Sequence, residues 1–118
     1  SAVVREALGI ALYRAGDLRG ALPELQAYRR LSGTDDQNHL LADCLRAAGR
    51  EADRALELAR TLADDPSAEP DRRAEAAIVA AAVHCDAGRP QRAESLLRPF
   101  LDGPDGASMP QEATVRLL

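Results

Sequence analysis

The chain has no tryptophan and no lysine, and its 118 residues include only two tyrosines, one phenylalanine, one methionine and two cysteines. A globular core of this size ordinarily draws on aromatic bulk, so the scarcity points instead to helices packed closely through small residues, and alanine is abundant. Cys44 and Cys85 fall in different predicted helices, with no CxxC pair or other metal-ligand spacing. That excludes a disulfide scaffold and a zinc knuckle, and reads as reduced, partly buried thiols in a cytoplasmic protein. All fifteen basic residues are arginine. Arginine, alanine, glycine and proline have GC-rich codons and lysine does not, so codon usage in a high-GC, bacterial genome outweighs selection for guanidinium chemistry. The net charge of −4 argues against a nucleic-acid partner, which requires a basic stripe to displace counterions. The arginines are instead spread beside Asp and Glu, as on a solvated surface. No signal peptide and no apolar run long enough to span a bilayer is present, so no membrane association is expected.

What the chain does have is a pattern that returns three times around a glycine. Before Gly16, Gly49 and Gly88 stand the trios Leu8/Gly9/Leu12, Leu41/Ala42/Leu45 and Ala80/Ala81/His84, each ending four residues before its glycine. After each glycine stands a second trio at spacing 0, +4 and +7: Ala21/Leu25/Tyr28, Ala55/Ala59/Leu62 and Ala93/Leu97/Phe100. The anchoring alanines lie 34 residues apart (21 to 55) and then 38 (55 to 93). A repeat of about 34 residues, two helices joined by a glycine turn, is the signature of a helical solenoid. Gly9, Ala42 and Ala81 mark the small position at which paired helices approach. Length and pattern fit one domain, 1–118, with repeats at about 2–34, 35–69 and 70–103 and a partial terminal helix at 109–118.

Local signals place the elements. A first helix over 2–15 shows apolar residues at helical spacing, and Asp17 is a natural N-cap for the next, which runs to about 31 with Pro23 inside it. Pro23 predicts a late start or a bend there. Thr34 and Gln37 have capping-box spacing and open a third helix to about 48. A fourth follows Gly49 and ends at Asp64-Asp65-Pro66; residues 66–70 are the one plausible hinge. The fifth, over 71–87, is apolar on almost every side and must be covered on several faces. Pro90 suits the first position of the sixth, Pro99 weakens its last turn, and Ser108 with Gln111 opens the seventh.

These residues resemble the tetratricopeptide repeat in Leu8-Gly9, Gly16-Asp17 and Ala21, in Leu41-Ala42, Gly49, Ala55 and Pro66, and in Ala81, Gly88, Ala93 and Phe100. The likeness covers about residues 2–101 and is of the degenerate kind common in high-GC bacteria. Arg5, Asn38 and Ala77 stand where the family has Trp, and Leu12, Leu45 and His84 replace its first-helix aromatic. The resemblance implies an all-α, right-handed superhelical solenoid of three antiparallel helix hairpins plus the partial seventh helix. It also implies a concave groove lined by the first helix of each repeat. The matching positions are Val3, Glu6, Ile10, Tyr13 and Arg14; Asp36, His39, Asp43, Arg46 and Ala47; and Glu75, Ile78, Ala82, Cys85 and Asp86. Five acids against two arginines would favour a basic or amphipathic peptide or partner helix, anchored near Tyr13 or Ile10. The family's chaperone-type carboxylate clamp is not matched, because Glu6 and Ile10 occupy its positions.

Other chemistry is weak. His39 and Asp43 share a helix face at a spacing that metal sites use, but no further ligand is expected nearby, so a surface hydrogen bond or ion pair is the plainer reading. His84 sits at a packing position, and neighbouring Cys85 points about 100° away from it. No triad order, phosphate loop or paired acid stands out, so the chain reads as no enzyme, with no cofactor and no metal. The expected function is a protein-interaction scaffold. The alternatives are a regulatory or sensor segment of a larger multidomain protein, such as a transcriptional regulator, or a self-assembly module. Val3, Val4 and Ile10 at one end and Leu117-Leu118 at the other are apolar. They predict contact through a terminal helix, as a homodimer or with flanking sequence.

Overall fold

Six helices in chain order account for most of residues 1–102, which are the residues described by the structure, a computed structural model. They are α1 (Ala2–Arg14), α2 (Leu18–Ser32), α3 (Asn38–Ala47), α4 (Ala52–Ala63), α5 (Pro70–Asp86) and α6 (Pro90–Asp102). There is no strand among the described residues. Each helix packs on the next, and α3 also packs on α5. The expected helix over 109–118 and the apolar Leu117-Leu118 end lie outside the described residues.

The glycine turns share one hydrogen-bonded form. Gly49 has φ +66, and its N–H donates to the Arg46 carbonyl while the Arg50 N–H reaches back to the Leu45 carbonyl, both at about 3 Å. This satisfies two of the carbonyls a helix leaves orphaned at its C-terminus, and the left-handed φ is one that only glycine adopts cheaply. Gly16 and Gly88 repeat it, with Asp17 N–H to Leu12 O and Arg89 N–H to His84 O. The last member of each first trio is therefore both a packing residue and the acceptor that closes the turn. Asp17 caps α2 as its sequence suggests, accepting from the Gly20 N–H at 2.9 Å.

Most of the trio residues form the core. Ala21, Leu25, Leu41, Ala42, Leu45, Ala55 and Ala59 join one cluster spanning α2 to α5, and Leu62, Ala81, Ala93 and Leu97 join a second over α4, α5 and α6. Tyr28, Ala80 and His84 are buried as well. Helix α5 meets the demand of its apolar sequence by packing on α3, α4 and α6 at once.

Four local expectations are corrected. Leu8 is 41% exposed, because Gly9 takes the closest approach to α2 and Leu8 lies one residue round the helix. Of the two outcomes expected at Pro23, a late start does not occur: α2 begins at Leu18 and runs through the proline. Thr34 forms no capping box with Gln37; its hydroxyl accepts from the Asp36 N–H at 3.0 Å, and α3 starts at Asn38 without a side-chain cap. The fourth concerns the thiols: Cys44 is buried but Cys85 is exposed. At the start of the segment expected to be a hinge, Asp65 Oδ1 accepts from the Ser67 N–H (2.9 Å) and hydroxyl (2.7 Å).

Candidate functional site

Hydrogen bonds join α1, α3 and α5 along one side of the molecule. The Tyr13 hydroxyl on α1 donates to Asp43 Oδ2 on α3 at 2.5 Å. Asp43 Oδ1 takes Arg46 Nη1 at 3.3 Å, and Arg46 Nε continues to Asp86 Oδ2 on α5 at 2.7 Å. One relay of four side chains thus spans three helices. Burial, reinforced by the Asp43 carboxylate, raises the Tyr13 pKa well above that of an ordinary phenol, so it stays a hydrogen-bond donor.

A second set lies nearer the other end of these helices. Gln37, almost fully buried, donates from Nε2 to Glu6 Oε2 at 3.1 Å. The Tyr28 hydroxyl donates to Asp36 Oδ1 at 2.7 Å, and Arg72 Nη1 donates to the Asp36 carbonyl at 3.1 Å with Asp36 Oδ2 3.5 Å away. Burial and then the bond to Asp36 push the Tyr28 pKa up to about 12. Burial opposes ionisation of Asp36, but Tyr28, Thr34 and Arg72 outweigh it and hold its carboxyl below the usual range.

Of the remaining positions given by the resemblance, Val3 stands 73% exposed in solvent. Ile10 is half-buried on α1, and Arg14 is exposed with no partner among the described residues. Asp36 belongs to the turn before α3, one residue ahead of its N-cap. Ile78 packs against the cluster of α4, α5 and α6. Glu75 has no hydrogen-bond or ion-pair partner among the described residues. Burial, followed by the charges of Asp43 and Asp71, raises its pKa. Three members of the site were missed in the sequence, Tyr28, Gln37 and Arg72. Arg72 precedes Glu75 by three residues, which places the two on one helix face, so spacing carried that signal.

The expected surface contact between His39 and Asp43 does not form. Asp43 is taken by Tyr13 and Arg46, and His39 Nδ1 is buried without a hydrogen-bond partner. Burial first, and the Arg72 guanidinium second, lower the His39 pKa to about 4, with Asp36 and Asp43 pulling weakly the other way. His84 behaves as a satisfied core residue, with Nδ1 accepting from Arg89 Nε at 3.1 Å. Among the described residues no group of three or more His, Cys, Asp or Glu side chains is placed to hold a metal ion, and no helix is long and apolar enough to cross a membrane.

The neutral His39 gives a pH dependence whose sign is fixed. Its folded pKa of about 4 lies below the ordinary 6.5, so below pH 6.5 the unfolded chain binds the proton more readily than the folded one. Stability is complete above 6.5 and falls as pH drops toward 4; the raised pKa of Glu75 works in the opposite direction. Urea titrations at about pH 7 and pH 5 should show the wild type losing ~1–2 kcal/mol more than His39→Leu, after allowing for partial exposure. Identical losses would mean that His39 is not buried neutral.

No protein-family model matches the chain, and no curated protein or solved structure shows significant similarity to it.

Proposed function

We propose that this chain is a tetratricopeptide-like solenoid of paired helices that binds a basic or amphipathic segment of another protein across the face formed by α1, α3 and α5. The observation that carries the reading is the Tyr13–Asp43–Arg46–Asp86 relay with Glu75 unpartnered beside it. The relay ties three helices into one surface and holds Asp43 and Asp86 in place. Glu75, pressed by Asp43 and Asp71, gains most from an incoming cation. The Arg46 and Arg72 charges are already spent on Asp43, Asp86 and Asp36, so the face remains acidic. Support for the solenoid comes from the thrice-repeated turn, the burial of small residues at Gly9, Ala42 and Ala81, and the packing of α3 on α5. The uncovered Val3, Val4 and Leu8 on α1 favour a second reading, contact of this end with another copy of the chain.

The test is binding of a fluorescent peptide of alternating Arg and Leu to the full chain. Glu75→Lys should weaken it by about tenfold and flatten its salt dependence, whereas Asp53→Lys, exposed on α4, should change it by less than about twofold. Equal weakening by both variants would show that the peptide sees only net charge and would remove the proposal.

A further inference from the structure

Helix α1 leaves one side bare. At about 100° per residue, Val3, Ala7, Ala11, Val4 and Leu8 follow one another round about 140° of its surface, and all five are exposed. Only Arg14, at one edge, brings a charge into that arc. The recurrence around the glycines shows that the arc is a packing register. Counted back from the turns, Val4, Leu8 and Ala11 correspond to Gln37, Leu41 and Cys44 on α3 and to Ala76, Ala80 and Val83 on α5. Those six are all buried, whereas Val4 is 59% and Leu8 41% exposed.

What covers the register is visible in the two later copies. On α3 it is α2: Leu18 and Leu22 line one crevice with Cys44, and Leu22 and Leu25 share a core cluster with Leu41 and Cys44. On α5 it is α4: Ala52 lines a crevice with Val83, and Leu56 and Ala59 pack in the cluster that holds Ala80 and Val83. A covering helix therefore presents apolar residues at spacing 0, +4 and +7, as Leu18/Leu22/Leu25 and Ala52/Leu56/Ala59 do. In a second copy of the chain those two lines are already in use. Helix α6 has Pro90, Glu94 and Leu97 in that register, and Glu94 is ion-paired with Arg98, both exposed. Seating that pair on an apolar arc would strip its water. The line Val4/Leu8/Ala11 of α1 itself has the required spacing and is free.

We infer that the bare side of α1 is a twofold interface, on which a second copy docks its own α1 antiparallel. This rests on the second reading above, contact of this end with another copy, and narrows it to a closed dimer. Centred between Ala7 and Leu8, an antiparallel pair sets Val4 against Ala11 and Leu8 against Ala7 on both sides of the axis. Large thus meets small, as Gly9 meets Leu25 inside the fold. Charge fixes the direction: antiparallel pairing keeps the two Arg14 side chains about 20 Å apart along the axis, whereas parallel pairing sets them side by side. One 13-residue helix makes a small interface, so the dimer is reversible, with a Kd on the order of 10–100 μM.

Sedimentation of the full chain from about 1 μM to 1 mM should show monomer passing to dimer and nothing larger. Val4→Gln and Ala11→Gln, neutral changes within the arc, should each weaken association by about tenfold, and Leu31→Gln, at an exposed leucine of α2, by less than about twofold. Glu75→Lys should leave it unchanged, which separates this interface from the acidic face. Circular dichroism confirms that each variant is folded. With Cys85→Ser as background, oxidation should cross-link Ala7→Cys and leave Arg14→Cys monomeric. Cross-linking of Arg14→Cys would mean a parallel pair and overturn the inference, as would equal effects of Leu31→Gln and Val4→Gln. Growth beyond two copies would overturn the closed dimer while leaving contact between copies standing. A strict monomer would remove both, and a monomer that binds a labelled peptide of residues 51–64 through Val4 would give the arc to a partner's helix instead.

Discussion

Replacing Leu45 by alanine should lower the unfolding free energy by about 2–5 kcal/mol, the range for a buried leucine whose surroundings close only partly around the cavity. Leu45 is 2% exposed and sits in the cluster shared by α2, α3, α4 and α5, among Leu41, Leu58 and Val83. Its carbonyl also accepts the Arg50 N–H that closes the turn at Gly49. The side chain supplies the core contact, and the carbonyl, which alanine keeps, closes the turn by which α3 hands over to α4. Urea denaturation should show the midpoint falling with the slope unchanged, since the surface exposed on unfolding is nearly the same. Leu31→Ala is the comparison: Leu31 is 58% exposed, and its loss should stay within about 0.5 kcal/mol. Similar midpoints for the two variants would mean that α3 does not pack through Leu45.

Introducing leucine at Gly9 should cost about 3 kcal/mol by overpacking. A Cβ at this position would lie 2.8 Å from Leu25 Cδ2 and 2.9 Å from its Cγ, and Leu25 is 1% exposed, so it has nowhere to retreat. Removing a glycine from a helix interior ordinarily gains about 1 kcal/mol, so even the sign of the result distinguishes close packing from simple propensity. Ala7→Leu, on the exposed side of α1, supplies the reference. If the two variants melt at the same temperature, α1 and α2 do not meet at Gly9. Ala42 and Ala81 hold the equivalent place in the second and third recurrences and are 0% and 4% exposed, so Ala81→Leu should fail for the same reason.

The helices and their turns were legible in the chain because they rest on short-range physics. An apolar trio at helical spacing, a glycine four residues after its last member and an N-capping aspartate each act within a turn or two of helix. The boundaries of α1, α4 and α5 consequently fall within a residue or two of their expected places. Where a local signal had competitors it misled: Thr34 satisfies the nearer Asp36 N–H and so forms no capping box.

The candidate site was legible only as a set of positions. Tyr13, Asp43, Arg46 and Asp86 do come together, yet which atoms pair could not be read from spacing. His39 and Asp43 stand four apart on one helix and still make no bond, because Asp43 is claimed by Tyr13, thirty residues before it, as well as by Arg46. Arg46 in turn reaches Asp86, forty residues on, and Arg72 reaches Asp36. Sequence by itself determined the helical class, the repeated turns and, Leu8 apart, the buried register, since each follows from neighbours along one helix. Tertiary structure alone decided the relay and the unpartnered Glu75. Those depend on how far one helix slides and turns against another, a quantity set by the sum of all core contacts, and long polar side chains answer to whatever that sum brings within reach.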